Sequence, residues 1–154
     1  EERAAGGRDV GEVVGNVGVV ERGNRIAAAG DRDQLACLGQ RGGVIGMNAV
    51  LVSPDAEHAT LDRYVDEIEY AVELAGADNV GLGFDFFEFI YRHWTEKQKA
   101  ELEAGLIKPH FVPDLLTHAD ARNLTHRLIG RGFDDEMITK VLYGNWMRVF
   151  QRVL

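Results

Sequence analysis

Two glycine-bearing apolar runs, GGVIGMNAV at 42–50 and NVGLGFD at 79–85, flank a stretch of amphipathic helical spacing, and this narrows the possible folds more than any other feature. Both runs are apolar on consecutive residues, not on every second one, which is the pattern of a strand covered on both faces. Between them Thr60 is placed to cap a helix on which Leu61, Val65, Ile68 and Val72 recur, with Gly76 at its end. A crossover of that length suits parallel strands joined by a packed helix. In sheets of this kind ligands bind beyond the carboxyl ends of the strands, and Asp85 stands at such an end.

The flanking segments differ in character. Residues 1–32 are rich in Gly, Val, Ala and Arg, contain no aromatic residue and sustain neither a period of 2 nor one of 3.6, so they read as an irregular segment. Within it VGEVVGNVGVV (10–20) has the β-branched content of a short strand pair, weakened by its glycines. Residues 33–154 are the regular portion. DRDQLACLGQRGG reads as a short helix closed by Gly42, and WTEKQKAELEAG (94–105) as an exposed helix. Pro109 and Pro113 bound a loop, after which Asp114 is expected to cap a helix running to Gly132. Asp134 caps a short helix carrying Ile138, Val141 and Leu142, which Gly144 is expected to stop. A last helix from Asn145 sets Trp146, Val149, Phe150 and Val153 on one apolar stripe, read as a packing surface. No internal repeat is visible.

Charge and cysteine usage remove several function classes. A net charge of −8 without a basic run repels a phosphate backbone and gives no grip on an anionic bilayer, so neither nucleic acid nor a membrane is expected as a partner. No window approaches the roughly 18 consecutive apolar residues of a spanning helix, and EERAAGGRDV lacks the apolar core of a signal peptide. The single Cys37 excludes an internal disulfide and a cysteine-rich zinc site. That usage fits a cytoplasmic location, although bacterial extracytoplasmic enzymes poor in cysteine share it. Cys37 itself reads as a small core residue and not a nucleophile, because no His/Asn partner pattern accompanies it. His58, His93, His110, His118 and His126 read as surface or packing residues. His118 and His126 would share a face only on an unbroken helix, and no carboxylate completes a zinc set with them. Asp120, Asp134, Asp135 and Glu136 read as capping or helix-surface charges.

Three separated blocks occur in a familiar order: QRGGVIGMN, then ATLDRYVDEIEYAVELAGADNVGLGFDF, then ARNLTHRLIGRGFDDEMITKVLYGNWMRVF. Together they resemble the C-terminal part of the membrane dipeptidase (renal dipeptidase) family, peptidase M19, over residues 33–153. The resemblance implies an α/β fold, the C-terminal part of a TIM-like (β/α)8 barrel of the metallo-dependent hydrolase type, incomplete in this chain. It also implies a two-zinc site and hydrolysis of dipeptides or other small amides. In the family the carboxylate after the Gly-rich last strand is the acid/base, and the matching position is Asp85. A carboxylate suits that place, since it can accept a proton from the attacking water and hand one to the leaving amine. Where the family usually continues Asp-Phe-Asp-Gly, this chain reads Asp85-Phe86-Phe87-Glu88, which reshapes the substrate pocket while keeping the acid/base.

The family's metal ligands are a His-x-Asp pair, a bridging Glu and two later histidines, all N-terminal to the matched blocks. None is in register here. In ERGNRIAAAG (21–30) Arg22 or Gly23 occupies the place of a histidine, and Arg32 matches the family's substrate-carboxylate arginine only across a gap. No metal ligand is therefore assigned, and no substrate-binding residue. Two expectations follow: a fragment or half-enzyme of a zinc dipeptidase, or a metal-free, non-catalytic remnant serving as a binding or assembly domain. In either case self-association or a complementary N-terminal half is the expected partner, because an incomplete barrel leaves a strand edge unpaired.

Overall fold

The protein is described by a computed structural model covering residues 31–50, 52–53, 55–105 and 108–154. The expected strand pair at 10–20, Arg22 and Gly23 lie outside the described residues, as does the side chain of Arg32. Residues 31 and 32 are not part of an irregular segment; they open the first helix, α1 (Asp31–Gln40).

The strand, helix, strand unit forms as the apolar runs require. Strand β1 (Ile45–Asn48) lies parallel to β2 (Val80–Phe84), and α2 (Leu61–Ala75) crosses between them. Both strands are shorter than the apolar runs that contain them. Ile45, Gly46 and Met47 stand opposite Val80, Gly81 and Leu82, and an irregularity after Met47 then brings Asn48 opposite Phe84. Thr60 caps α2 as expected, its hydroxyl accepting from the Arg63 N–H at 3.1 Å. Leu61, Tyr64, Val65, Ile68, Ala71 and Ala75 form its buried face. Each large apolar side chain so covered contributes about 1.5–3 kcal/mol relative to exposure. The Tyr64 ring is fully buried, and its hydroxyl donates to the Met47 carbonyl at 2.8 Å, tying the crossover helix to β1. Gly76 ends α2 at φ 91.

Helix α1 packs against α2 through Leu35 and Leu38, and the two backbones approach closely: a Cβ on Gly39 would collide with the Ala75 carbonyl oxygen. Cys37 falls on the opposite face and is exposed, so it is not the core residue expected from its apolar neighbours. The helix closes in a turn that Gly42 makes at φ 70.

Beyond β2 come the short α3 (Glu88–Tyr91) and α4 (Glu96–Gly105), the latter the exposed helix expected at 94–105. Asp114 does not cap the next helix. The chain instead makes a single 3-10 turn at His118–Asp120, closed by a reciprocal Thr117–Asp120 capping box, and α5 (Ala121–Gly130) begins after it. Thr117 and Asp120, three apart, satisfy one another's backbone N–H groups, an arrangement Asp114 has no partner to match. Asp114 serves through its main chain, its carbonyl accepting from Asn123 Nδ2 at 2.9 Å. Gly132 lies past the end of α5, at φ 85.

Gly144 does not stop a helix either. Helix α6 (Asp135–Thr139), capped by Asp134 as expected, passes through a π-helical turn at Lys140–Gly144 into α7 (Asn145–Val153), and Gly144 keeps helical φ −57 and ψ −41. The π turn rotates the faces of α7 relative to α6 and presents Asn145 to the sheet. Asn145 is buried and donates from Nδ2 to the carbonyls of Ala77 and Val80, at 2.8 and 2.7 Å. Arg148 donates to the carbonyls of Gly42 and Asp78, at 2.8 and 2.5 Å, and so joins the loops that feed the two strands. The paired glycines 46 and 81 accept the Trp146 indole: a Cβ on Gly81 would lie 2.5 Å from its Nε1, and one on Gly46 3.2 Å from its ring. Its N–H donates to the Leu82 carbonyl at 3.0 Å. Of the expected stripe on this helix Val149 is buried, whereas Phe150 stacks on Trp146 and stays exposed.

Candidate active site at the carboxyl ends of the parallel strands

The site begins where β2 ends. Phe84 and Asp85 both take positive φ, 42 and 62, a region that side-chain-bearing residues rarely enter. The turn is closed by the Asp85 N–H donating to the Gly83 carbonyl at 2.6 Å, while the Ala49 N–H of the neighbouring chain segment donates to the Phe84 carbonyl at 2.9 Å. Two such residues in succession cost about 1–3 kcal/mol each, so the surrounding packing must hold them there. That packing is visible. The rings flanking Asp85 stack on each other, Phe84 on Phe86 at 4.6 Å and 15°, and His118 meets Phe86 edge-on at 4.9 Å.

Asp85 is exposed, and its Oδ2 accepts from Asn48 Nδ2 at 3.0 Å. Asn48 is the last residue of β1 and is buried, and its Oδ1 accepts from the Val50 N–H at 2.6 Å. The two strand ends thus present one carboxylate, fixed by one amide. A second aromatic group borders this pair in sequence: Phe87, at the start of α3, lies 5.3 Å from the Phe111 ring and 5.9 Å from that of Tyr91. Tyr91 is 5.6 Å from Trp94 and donates its hydroxyl to Glu103 Oε1 at 3.0 Å, which anchors α3 on α4. Its phenol is held above the usual value, first by desolvation and then by that carboxylate.

Asp85 lies where the sequence puts it, beyond the carboxyl end of a buried strand. Asn48 was missed. Its only signal was a polar residue ending an otherwise apolar strand, and nothing in the text of the chain links it to a residue in the next strand. Two histidines border the site: His118 packs on Phe86, and the His110 backbone N–H donates to the Val50 carbonyl at 3.3 Å. His58 pairs with Asp55 at 3.1 Å on the surface, and His93 accepts from Arg92 Nε at 3.3 Å. Among the described residues no three His, Cys, Asp or Glu side chains converge as metal donors, so these residues do not fit a two-zinc site by themselves. A separate cleft of about 420 Å³ between α2 and α5 is lined by Leu61, Asn123, His126, Arg127 and Arg131 and does not include Asp85. Its arginines are already occupied, Arg127 with Asp62 and Arg131 with Asp66 and Glu69.

Residues 27–102 match the family model described as membrane dipeptidase, peptidase family M19. A Klebsiella pneumoniae protein described as an uncharacterized protein in the pqqA 5′ region is 27% identical over 125 residues, 78% of this chain and 39% of its own length. The chain therefore spans about two fifths of the curated relative it matches. An amidohydrolase from Pseudomonas aeruginosa superposes with a TM-score of 0.64 at 26% identity, over 79% of this chain and 39% of that one. A metallopeptidase from Rhodobacter sphaeroides, solved with a phosphinate mimic of the dipeptide L-Ala-D-Ala, shares the fold at a TM-score of 0.58 and 16% identity, over 80% of this chain and 31% of its own.

Proposed function

On the premise that residues 27–102 belong to the membrane dipeptidase family, we propose that this chain supplies Asp85 as the acid/base of a dipeptide-hydrolysing metallopeptidase. The observation that carries the reading is the carboxylate itself. It sits exposed at the carboxyl end of a parallel strand, on a turn with two positive φ values, and is held by a buried amide. Strain kept at a polar, solvent-facing residue is the kind of feature that accumulates at catalytic positions.

In this role Asp85 takes a proton from the water whose oxygen bonds to the scissile carbonyl carbon. When the C–N bond breaks, Asp85 returns that proton to the departing amine nitrogen. Zinc is the metal the family implies, and the described residues do not hold it, so its donors are assigned to a complementary N-terminal part of the barrel. The fold is read accordingly as the last strands of a TIM-like barrel. A cytoplasmic setting accompanies the reading, resting on one free, exposed thiol at Cys37. Among the described residues no helix is long and apolar enough to cross a membrane.

The lack of converging donors among the described residues also favours a second reading, a metal-free remnant that binds or assembles without catalysing. Both readings expect a partner. The described sheet has two strands, and among the described residues the outer edge of each is open to pairing. The purified 154-residue chain should therefore run as an associated species in size-exclusion chromatography with light scattering, and should carry no stoichiometric zinc until the N-terminal half is co-expressed. Zinc bound at two ions per chain without that half would overturn the assignment of the donors. Zinc absent even with it would favour the remnant.

A further inference from the structure

Asn48 is a buried amide with its two ends assigned. The Val50 N–H donates to one of its side-chain atoms at 2.6 Å, which must be the oxygen, because the amide nitrogen would set donor against donor. The nitrogen consequently faces Asp85, and it reaches Oδ2 at 3.0 Å. The irregularity in the strand pairing makes this meeting possible: β1 skips one residue of β2 after Met47, so that Asn48 lies opposite Phe84 and next to Asp85. From this geometry we infer that Asn48 is the positioning residue of Asp85, holding Oδ2 and reserving Oδ1 as the oxygen that takes and gives the proton.

The argument is one of hydrogen count. Asn48 Nδ2 carries only hydrogens, so it pairs with Oδ2 as an acceptor whether Asp85 is ionised or protonated. A proton on Oδ2 would compete with the Asn48 N–H for that oxygen's lone pairs and weaken the bond, so protonation on Oδ1 is favoured. The proton therefore goes to Oδ1, and the carboxyl group does not swap its oxygens between the accepting and donating steps. A fixed proton site shortens the search for the leaving amine nitrogen, which favours kcat over KM. The inference rests on the acid/base reading of Asp85 for its catalytic half, while the hydrogen bond can be tested without it.

The first measurement is an NMR comparison of the ¹⁵N-labelled 154-residue chain with its Asp85→Ala variant. Residue 85 is exposed, so the fold is expected to persist. The Asn48 side-chain N–H resonances should move upfield and exchange faster with solvent in the variant, while the Val50 N–H stays in place. Asn48 side-chain resonances unaltered by the loss of the carboxylate would overturn the proposal. The second measurement uses Asn48→Asp in the enzyme completed by its N-terminal half, since an aspartate keeps an acceptor for the Val50 N–H while it replaces the donor to Asp85 with a second carboxylate. We expect kcat to fall at least about 10–100-fold, the worth of one charge-assisted hydrogen bond, with KM within about 2-fold and the acid limb of the kcat profile moved to higher pH by the like charge. Full turnover in Asn48→Asp beside lost turnover in Asp85→Asn overturns the role of Asn48 alone; full turnover in both overturns the acid/base reading as well.

Discussion

The amide nitrogen of Asn48 lies 3.0 Å from Oδ2 of Asp85, joining residues 37 apart in the chain across the carboxyl ends of two parallel strands. The pair depends on everything beneath it: the parallel register, the skipped residue after Met47, and the helix α7 that backs the sheet. Substitutions in that support should therefore be felt at the site.

Gly81 is the most sensitive of these supports. A methyl group there would stand 2.5 Å from Trp146 Nε1, and the indole cannot retreat without giving up its bond to the Leu82 carbonyl. Gly81→Ala should lower the unfolding free energy by about 1–3 kcal/mol, as overpacking does. Gly130, in α5, has no atom within 4 Å of its would-be Cβ, so Gly130→Ala should instead gain about 0.5–1 kcal/mol from helix propensity. Urea denaturation of the two variants side by side checks both signs.

Tyr64 carries a linked prediction. Burial raises its phenol far above the ordinary value of 10.0. A raised folded-state value means that the neutral form is favoured by folding, so this stability is fully present below pH about 10 and is lost as pH climbs above it. In an ultraviolet titration, one of the four tyrosines should ionise only together with the loss of helical circular dichroism. Tyr64→Phe should abolish that coupled step and cost about 1–3 kcal/mol at neutral pH by leaving the buried Met47 carbonyl without its donor. A variant as stable as the parent would contradict the anchoring role given to this hydroxyl.

At the acid end the corresponding group is Asp120. The Thr117 hydroxyl, then the Thr117 and Leu116 backbone N–H groups, hold its carboxyl below the ordinary 3.8. Because the folded-state value is depressed, the stabilisation is present above pH about 4 and disappears as pH falls through the folded value. Asp120→Asn should accordingly flatten the drop in urea midpoint between pH 5 and pH 2.5, and Asp120→Glu should not. Parallel pH profiles for Asp120→Asn and the parent would refute the capping box as a source of acid sensitivity.

How much of this was legible in the residues differs from element to element. The β1–α2–β2 unit was plain, because continuous apolar runs and a Thr60-capped amphipathic helix are local patterns with local causes. The place of Asp85 follows from the strand end, while the chemistry proposed for it rests on the motif around it. A single residue is poor punctuation in this chain. Asp114 resembled a cap, but Thr117 and Asp120 satisfy the orphan N–H groups together; Gly144 resembled a stop, but a glycine with helical φ can continue through a π turn. Cys37 has apolar neighbours in sequence and is nevertheless exposed, because the packed face of α1 is set by Leu35, Leu38 and the close approach of Gly39 to α2. Asn48 could not be read at all. Its significance lies in a register irregularity between two strands, which is a property of the pairing and not of either segment.

The measurement that bears most directly on the account is dipeptide turnover by the completed barrel, with the N-terminal half supplied by co-expression or fusion, for the parent and for Asp85→Asn. The variant keeps the size of the side chain and one oxygen to accept from Asn48 Nδ2, and removes the charge together with the ability to accept and return a proton. The account predicts that kcat falls by about two to four orders of magnitude in Asp85→Asn, with zinc content and circular dichroism unchanged. Equal turnover in the two proteins would contradict it and would leave Asp85 as a carboxylate that merely closes a turn.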